Sequence, residues 1–137
     1  MLLLDTVALI RMGTGEILQR RAREALRQAE FEGVRNSVSV ATAWEACLLE
    51  SRSRSGITVG SDGETWFRNA TKLFDLTVLP IDERIAVGSR KLPGIFHPDP
   101  ADRFIVATAR EYGLSIITTD RKILAYAAQG HVRAIEC

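Results

Sequence analysis

A chain of 137 residues, 46% hydrophobic and 26% charged with a formal net charge of +1, has the composition of an ordinary globular domain. The length supports one domain, here residues 1–137, able to bury roughly 68% of its unfolded surface without staples, and its two cysteines exclude a disulfide scaffold. Balanced charge, 18 basic against 17 acidic residues, excludes a non-specific polyanion binder, and no apolar run reaches the roughly 20 residues of a membrane span.

The N-terminal MLLLDTVALI lacks a basic region and carries Asp5 where a secretion signal stays apolar, so a cytoplasmic protein with no membrane partner is expected. Leu2 to Leu4 reads as a buried parallel-type strand, Asp5-Thr6 as its C-terminal end, and Val7 to Met12 as the start of a helix. A polar amphipathic helix is expected from about Glu16 to Glu32, broken at Gly33. Its Arg20, Arg23 and Arg27 share one face, with Glu16 and Glu24 able to pair along it, as on a solvated surface. Asn36 to Ser39 is a short strand or an N-cap, followed by a helix from Val40 to Arg52. Residues 52–56, Arg-Ser-Arg-Ser-Gly, form the most linker-like stretch but are too short to separate domains.

Ser61 or Asp62 caps a helix to Leu73. Leu76 to Ile81 reads as a strand, and Asp82 caps a helix to Lys91. After the loop Leu92 to Pro98, Asp99-Pro100 opens a helix to Tyr112 with Pro at its favoured first position, and Gly113 terminates it. Ser115 to Thr119 is a strand, Arg121 to Ala128 a helix and Val132 to Ile135 a final strand. Regular alternation of strand and helix predicts an α/β sandwich, a mostly parallel central sheet with helices on both faces.

In such a sheet, sites form at the C-terminal edge of the strands. Asp5 and Asp120 each end a strand and begin a helix, which places them on that edge, although Asp is also a preferred N-cap. Glu45 resists so plain a reading. Its helix, VATAWEACLL, is apolar almost all round, which predicts burial, and its neighbours at helical spacing (Ala41, Thr42, Leu48, Leu49) include no cation. A carboxylate buried without a partner costs several kcal/mol, so a distant Arg, a proton or a metal must compensate it. Asp102 shares a face with Ile105, Val106 and Ala109 and can also look inward. If Asp5, Glu45, Asp102 and Asp120 converge, a hard divalent cation resolves their repulsion. Mg²⁺ or Mn²⁺ suits carboxylate oxygens, and no His/Cys spacing calls for Zn²⁺.

Four segments in order, LLLDTVAL (Leu2 to Leu9), Ser39 to Leu49 around Glu45, HPDPADRFIVATA (His97 to Ala109) and IITTDRKILAY (Ile116 to Tyr126), resemble PIN-domain nucleases, and within them VapC-type toxins of toxin–antitoxin systems. The resemblance implies a PIN-like three-layer sandwich and a metal-dependent endoribonuclease acting on tRNA, rRNA or mRNA, with Mg²⁺ or Mn²⁺ activating water for phosphodiester hydrolysis. It makes Asp5, Glu45, Asp102 and Asp120 the acidic metal ligands, and Thr118 the hydroxyl that orients the cluster. Asp99 becomes a cap beside the ligand set, while His97 belongs to the motif without being taken as a ligand. Thr6, Arg103, Arg121 and Lys122 are candidates for substrate contact; Arg103 could instead pair with Asp99. A VapB-type antitoxin and a homodimer are the implied protein partners, with Leu9, Ile10, Trp44 and Leu48 as candidates for the antitoxin groove.

Three other folds or chemistries place acids in a comparable way. A PIN-like nuclease could cut structured DNA, or process RNA outside any toxin–antitoxin pair. A receiver-like binding module would need an acidic pair where Asp5 stands alone. A phosphatase with a covalent Asp would need a second Asp two residues on, where Val7 stands. Neither Cys47 nor Cys137 has a His partner in sequence to make it a nucleophile.

Overall fold

The first strand, β1 (Leu2–Leu4), lies at the centre of the sheet, and its three leucines divide the core between them. Side chains alternate along a strand, so Leu2 and Leu4 face one way and Leu3 the other. In the computed structural model, which describes residues 1–50 and 62–137, Leu2 and Leu4 pack with Ala8, Leu9, Ala22, Ala29, Phe67 and Ala70. Leu3 packs with Ile105, Val106, Ala109, Ile123 and Tyr126. One residue triplet therefore touches both halves of the hydrophobic core.

The remaining strands are β2 (Ser37–Ser39), β3 (Thr77–Leu79), β4 (Ser115–Thr118) and β5 (Arg133–Glu136), and the sheet order is β3-β2-β1-β4-β5. Every pairing is parallel, with Leu4 opposite Val38 on one side and Ile117 on the other. The expected α/β sandwich is thus present, with an all-parallel sheet. Helices α1 (Thr6–Gly13), α2 (Arg20–Phe31) and α4 (Gly63–Leu73) cover the Leu2/Leu4 face. The Leu3 face carries α6 (Pro100–Tyr112) and α7 (Arg121–Ala128), with α5 (Glu83–Arg90) against α6. Order reverses at β1, whose neighbours are β2 and β4; that switch point is where an open parallel sheet forms a crevice.

Helix ends follow the capping residues read in the sequence. Asp62 Oδ1 accepts from Thr65 N at 2.6 Å and Asp82 Oδ1 from Ile85 N at 3.0 Å. Gly113 closes α6 at φ 66°, a left-handed conformation that an L side chain resists. Ser39 is both strand and cap, since its hydroxyl accepts from Ala41 N at 3.1 Å at the start of α3 (Val40–Glu50).

The structure departs from the sequence reading in three places. Helix α2 begins at Arg20 and not at Glu16, because Gly15 turns the chain at φ 75° and the next residues serve tertiary contacts. Glu16 pairs with Arg11 at 3.2 Å, and Leu18 is buried in the core. Helix α3 is not enclosed on every side: Ala41, Thr42 and Ala46 are buried, but Trp44 is 58% exposed and Cys47 lies outside. Its neighbours cover one face only, so its other apolar row meets solvent. Leu9 is fully buried under the sheet, which removes it from any surface groove; Trp44 and Leu48 are exposed. The proposed linker at 52–56, the Ser61 cap and the expected end of α3 at Arg52 lie outside the described residues.

Candidate functional site

Asp5 directly follows β1 and caps α1, its Oδ1 accepting from Ala8 N at 2.7 Å. The other carboxylate oxygen takes the hydroxyl of Thr118, at the end of the neighbouring strand. Thr118 Oγ1 also accepts from Asp120 N at 2.9 Å, so one buried hydroxyl ties the two strand-end aspartates together. Asp120 in turn caps α7, with Oδ1 accepting from Lys122 N at 2.8 Å and Ile123 N at 3.0 Å.

Glu45 reaches this edge from the middle of α3. Thr6 Oγ1 donates to its Oε1 at 2.5 Å and lies 3.1 Å from Thr42 Oγ1. Thr6, a candidate for substrate contact in the sequence, is 4% exposed and instead holds Glu45 from within. Thr42 was noticed there only as a neighbour lacking charge. A hydroxyl three residues before a partnerless carboxylate was the available signal.

Asp102 sits in the first turn of α6, behind the Asp99 cap, which accepts from Ala101 N at 3.1 Å. No N–H or O–H of the described residues donates to the Asp102 carboxylate within hydrogen-bond geometry. Its nearest polar neighbour is His97, whose Nε2 lies 2.9 Å from Asp102 Oδ2. That contact has ion-pair distance without hydrogen-bond alignment, which leaves the buried Nε2 lacking a hydrogen-bond partner. Single ligand atoms of His97, Asp102 and Asp120 fall within 4.8 Å of one another. The histidine set aside in the sequence reading thus stands inside the cluster.

Burial first, and the neighbouring acids second, raise the proton affinities of the cluster. Burial, opposed by the Thr118 and Ala8 hydrogen bonds and reinforced by the Glu45 and Asp120 charges, pushes the Asp5 carboxyl from 3.8 to about 6. Burial lifts Glu45 too, with the Thr6 hydroxyl pulling the other way and Asp99 and Asp120 adding repulsion. Asp102 rises to about 7, first through burial and then through Asp120, Asp99, Glu45 and Asp5. The Asp120 charge thus reaches Asp5, Glu45 and Asp102, and the Glu45 charge reaches Asp5 and Asp102. Burial and then the Lys122 charge lower His97 from 6.5, against Asp120 and Asp99, which favour its charged form.

The basic residues beside the acids divide. Arg103 does not stand free for a phosphate and does not pair with Asp99. Its Nε donates to Ser89 O at 2.7 Å, and its Nη1 to Phe96 O at 2.9 Å and His97 O at 3.2 Å, clamping the loop that carries His97. Arg121 leans on Glu136 at 3.5 Å. Lys122 is exposed at the rim, near enough to depress the His97 imidazole.

A buried nitrogen without a partner and carboxylates held above their ordinary range are what a divalent cation would relieve, and the donor set fits one. No helix among the described residues is long and apolar enough to cross a membrane.

Comparison with known proteins agrees with this architecture. No curated protein matches the chain in sequence. Among solved structures, FitAcB from Neisseria gonorrhoeae is 22% identical, covers 98% of this chain and 96% of its own, and superposes with a TM-score of 0.64. A toxin–antitoxin complex from Klebsiella pneumoniae is 26% identical over 91% of each chain, with a TM-score of 0.60. VapBC-5 from Mycobacterium tuberculosis is 20% identical, covering 99% of this chain and 98% of its own, with a TM-score of 0.61. The sequence profile of the PIN domain spans residues 2–129, nearly the whole chain and every residue of the acidic cluster, and on that match the protein belongs to the PIN-domain family.

Proposed function

We propose that this protein is a metal-dependent endoribonuclease, the toxin of a pair neutralised by a VapB-type antitoxin. The observation that carries the reading is the convergence of acids at the switch point of the sheet: Thr118 bridges Asp5 and Asp120, and ligand atoms of His97, Asp102 and Asp120 lie within 4.8 Å of one another. Acids gathered and partly buried in this way are arranged for a positive charge among them. Asp5, Glu45, Asp102 and Asp120 would hold Mg²⁺ or Mn²⁺, the ions suited to carboxylate oxygens. Such an ion, when bound, supplies positive charge to a scissile phosphate and makes water acidic enough to attack near neutral pH.

The chain's own residues prepare that site. Thr118 fixes Asp5 against Asp120, and Thr6 fixes Glu45, so the carboxylates are oriented before any ligand arrives. Lys122 at the rim is the cation best placed to meet a substrate phosphate. Neither cysteine competes as a nucleophile: Cys47 lies outside on α3, and burial pushes the Cys137 thiol up to about 11.

The toxin role and the choice of RNA rest on the resemblance to VapC-type proteins and on neighbours that are described as toxin–antitoxin complexes. An apolar recess of about 310 Å³ between Val40, Trp44, Ile81, Pro100 and Phe104 gives a protein partner a surface to cover. The homodimer belongs to the same reading.

The test is cleavage of total cellular RNA by purified protein with Mg²⁺, with Mn²⁺ and with EDTA, beside a Glu45→Gln variant. Discrete fragments that require metal and vanish in the variant support the reading and name the target class. Metal-independent cleavage, or full activity of Glu45→Gln, overturns it.

A further inference from the structure

We propose that His97 is a nitrogen ligand to the cation held by Asp102 and Asp120, so that the centre is a mixed nitrogen–oxygen site favouring Mn²⁺ and its transition-metal neighbours over Mg²⁺. The inference rests on the reading that the acidic cluster binds a divalent ion and adds what sets its preference.

Geometry comes first. Ligand atoms of His97, Asp102 and Asp120 already lie within 4.8 Å of one another. Donors about 2.1 Å from a common ion stand roughly 3 to 4 Å apart, so closure needs only a small side-chain adjustment. Second, His97 Nε2 is buried without a hydrogen-bond partner, and its one close polar neighbour is the Asp102 oxygen at 2.9 Å. A buried polar atom left without a partner is costly, and an ion shared with Asp102 accounts for both the orphan and its position.

Third, the loop is built to hold this ring. Arg103 grips the carbonyls of Ser89, Phe96 and His97 itself. The Tyr126 hydroxyl donates to Pro93 O, and the Phe96 ring packs between Tyr126 (centroids 4.7 Å apart) and His97 (4.5 Å). Side chains fixed from behind in this way characterise ligands whose position matters. Imidazole donors suit transition metals, whereas Mg²⁺ keeps to oxygen and retains its waters.

The experiment uses the whole chain, stripped with EDTA and reloaded with Mn²⁺. Pulsed electron paramagnetic resonance should show ¹⁴N coupling to bound Mn²⁺. That coupling should disappear in His97→Gln and His97→Ala and persist in His131→Gln, a control for the other histidine. In titrations, Mn²⁺ affinity should fall about tenfold or more in both His97 variants, and Mg²⁺ affinity by less than about threefold. Stoichiometric Mn²⁺ with no ¹⁴N coupling in the unaltered protein would overturn the His97 assignment and leave the carboxylate site standing; that measurement depends on no variant's folding. Equal losses for Mg²⁺ and Mn²⁺ would also overturn it. Binding of Mg²⁺ without Mn²⁺ would overturn the His97 assignment alone, and failure to bind either ion would overturn both readings.

Discussion

Replacing Asp5 with Asn should make the metal-free protein more stable at neutral and alkaline pH, although Asp5 is central to the proposed site. The folded carboxyl binds its proton near pH 6 against 3.8 in an exposed chain. An acid raised in this way contributes stability that is complete below about pH 4 and lost as pH rises through about 6. The full rise corresponds to roughly 3 kcal/mol. Asn keeps the shape, and its Oδ1 can still accept from Ala8 N. It removes the buried charge and the repulsion from Glu45 and Asp120. Against this, the Thr118 hydroxyl loses its carboxylate acceptor, which costs about 1 kcal/mol. The net expectation is a gain of about 2 kcal/mol at pH about 8.

Urea unfolding in EDTA measures this directly: the midpoint of Asp5→Asn should exceed that of the unaltered protein by about 1 M at pH about 8, and should fall about 0.5 M below it near pH about 4, where the charge is gone and only the lost Thr118 hydrogen bond remains. Saturating Mg²⁺ should then reverse the order, because ligand at about a hundred times its Kd stabilises only the intact site, by roughly 2.7 kcal/mol. A variant no more stable than its parent at high pH, or a gain independent of pH, would refute the argument that the buried charge destabilises the fold.

Other consequences concern the groups that hold the acids. Thr118→Val leaves Asp5 Oδ2 and Asp120 N without partners and should lower stability by about 1–3 kcal/mol; RNA cleavage should fall about 10- to 100-fold, read in the same RNA assay. Arg103→Ala frees the carbonyls of Ser89, Phe96 and His97. Its melting temperature should drop by roughly 5–10 °C, with faster amide exchange in the His97 loop. Gly63→Ala places a Cβ 2.6 Å from Cys47 N and 2.7 Å from Ala46 O. Because the obstruction is the backbone of α3, the change should destabilise by about 1–3 kcal/mol in denaturant titration. Gly88→Ala meets only Ala107 Cβ at 3.9 Å and should stabilise α5 by about 0.5–1 kcal/mol.

What could be read from the sequence was whatever a residue does by itself or with its immediate neighbours. Three consecutive leucines, capping aspartates before apolar helices, Pro100 at a helix start and Gly113 at a helix end each carry a local signal, and together they outline the sheet and the edge where the acids gather. What could not be read depends on the other side of a contact. An apolar helix looks the same whether its neighbours cover one face or all of them, so the exposure of Trp44 on α3 was invisible. Leu9 at a groove and Leu9 in the core have the same periodicity. Arg103 beside Asp102 suggested a phosphate ligand, yet its guanidinium turns back to carbonyls on a loop that local pattern does not position.

The two interpretations open for Asp5 and Asp120, helix cap or reactive acid, turn out not to compete. A carboxylate has two oxygens. Both hydrogen bonds from the α7 N-terminus fall on Asp120 Oδ1, and the α1 N-terminus uses only Oδ1 of Asp5. The helix ends thus fix each carboxylate and, with the positive ends of their dipoles, ease the cost of keeping it ionised. The second oxygen remains for the cluster, where Thr118 steadies that of Asp5. Glu45 and Asp102 have no such cap. Glu45 has a hydroxyl from Thr6, and Asp102 has only the unaligned His97 nitrogen. Asp102 is accordingly the acid driven higher, to about 7 against about 6 for Asp5. The least supported carboxylate lies beside a buried imidazole nitrogen without a hydrogen bond, and that pairing makes the His97–Asp102 edge the part of the site with most to gain from a cation.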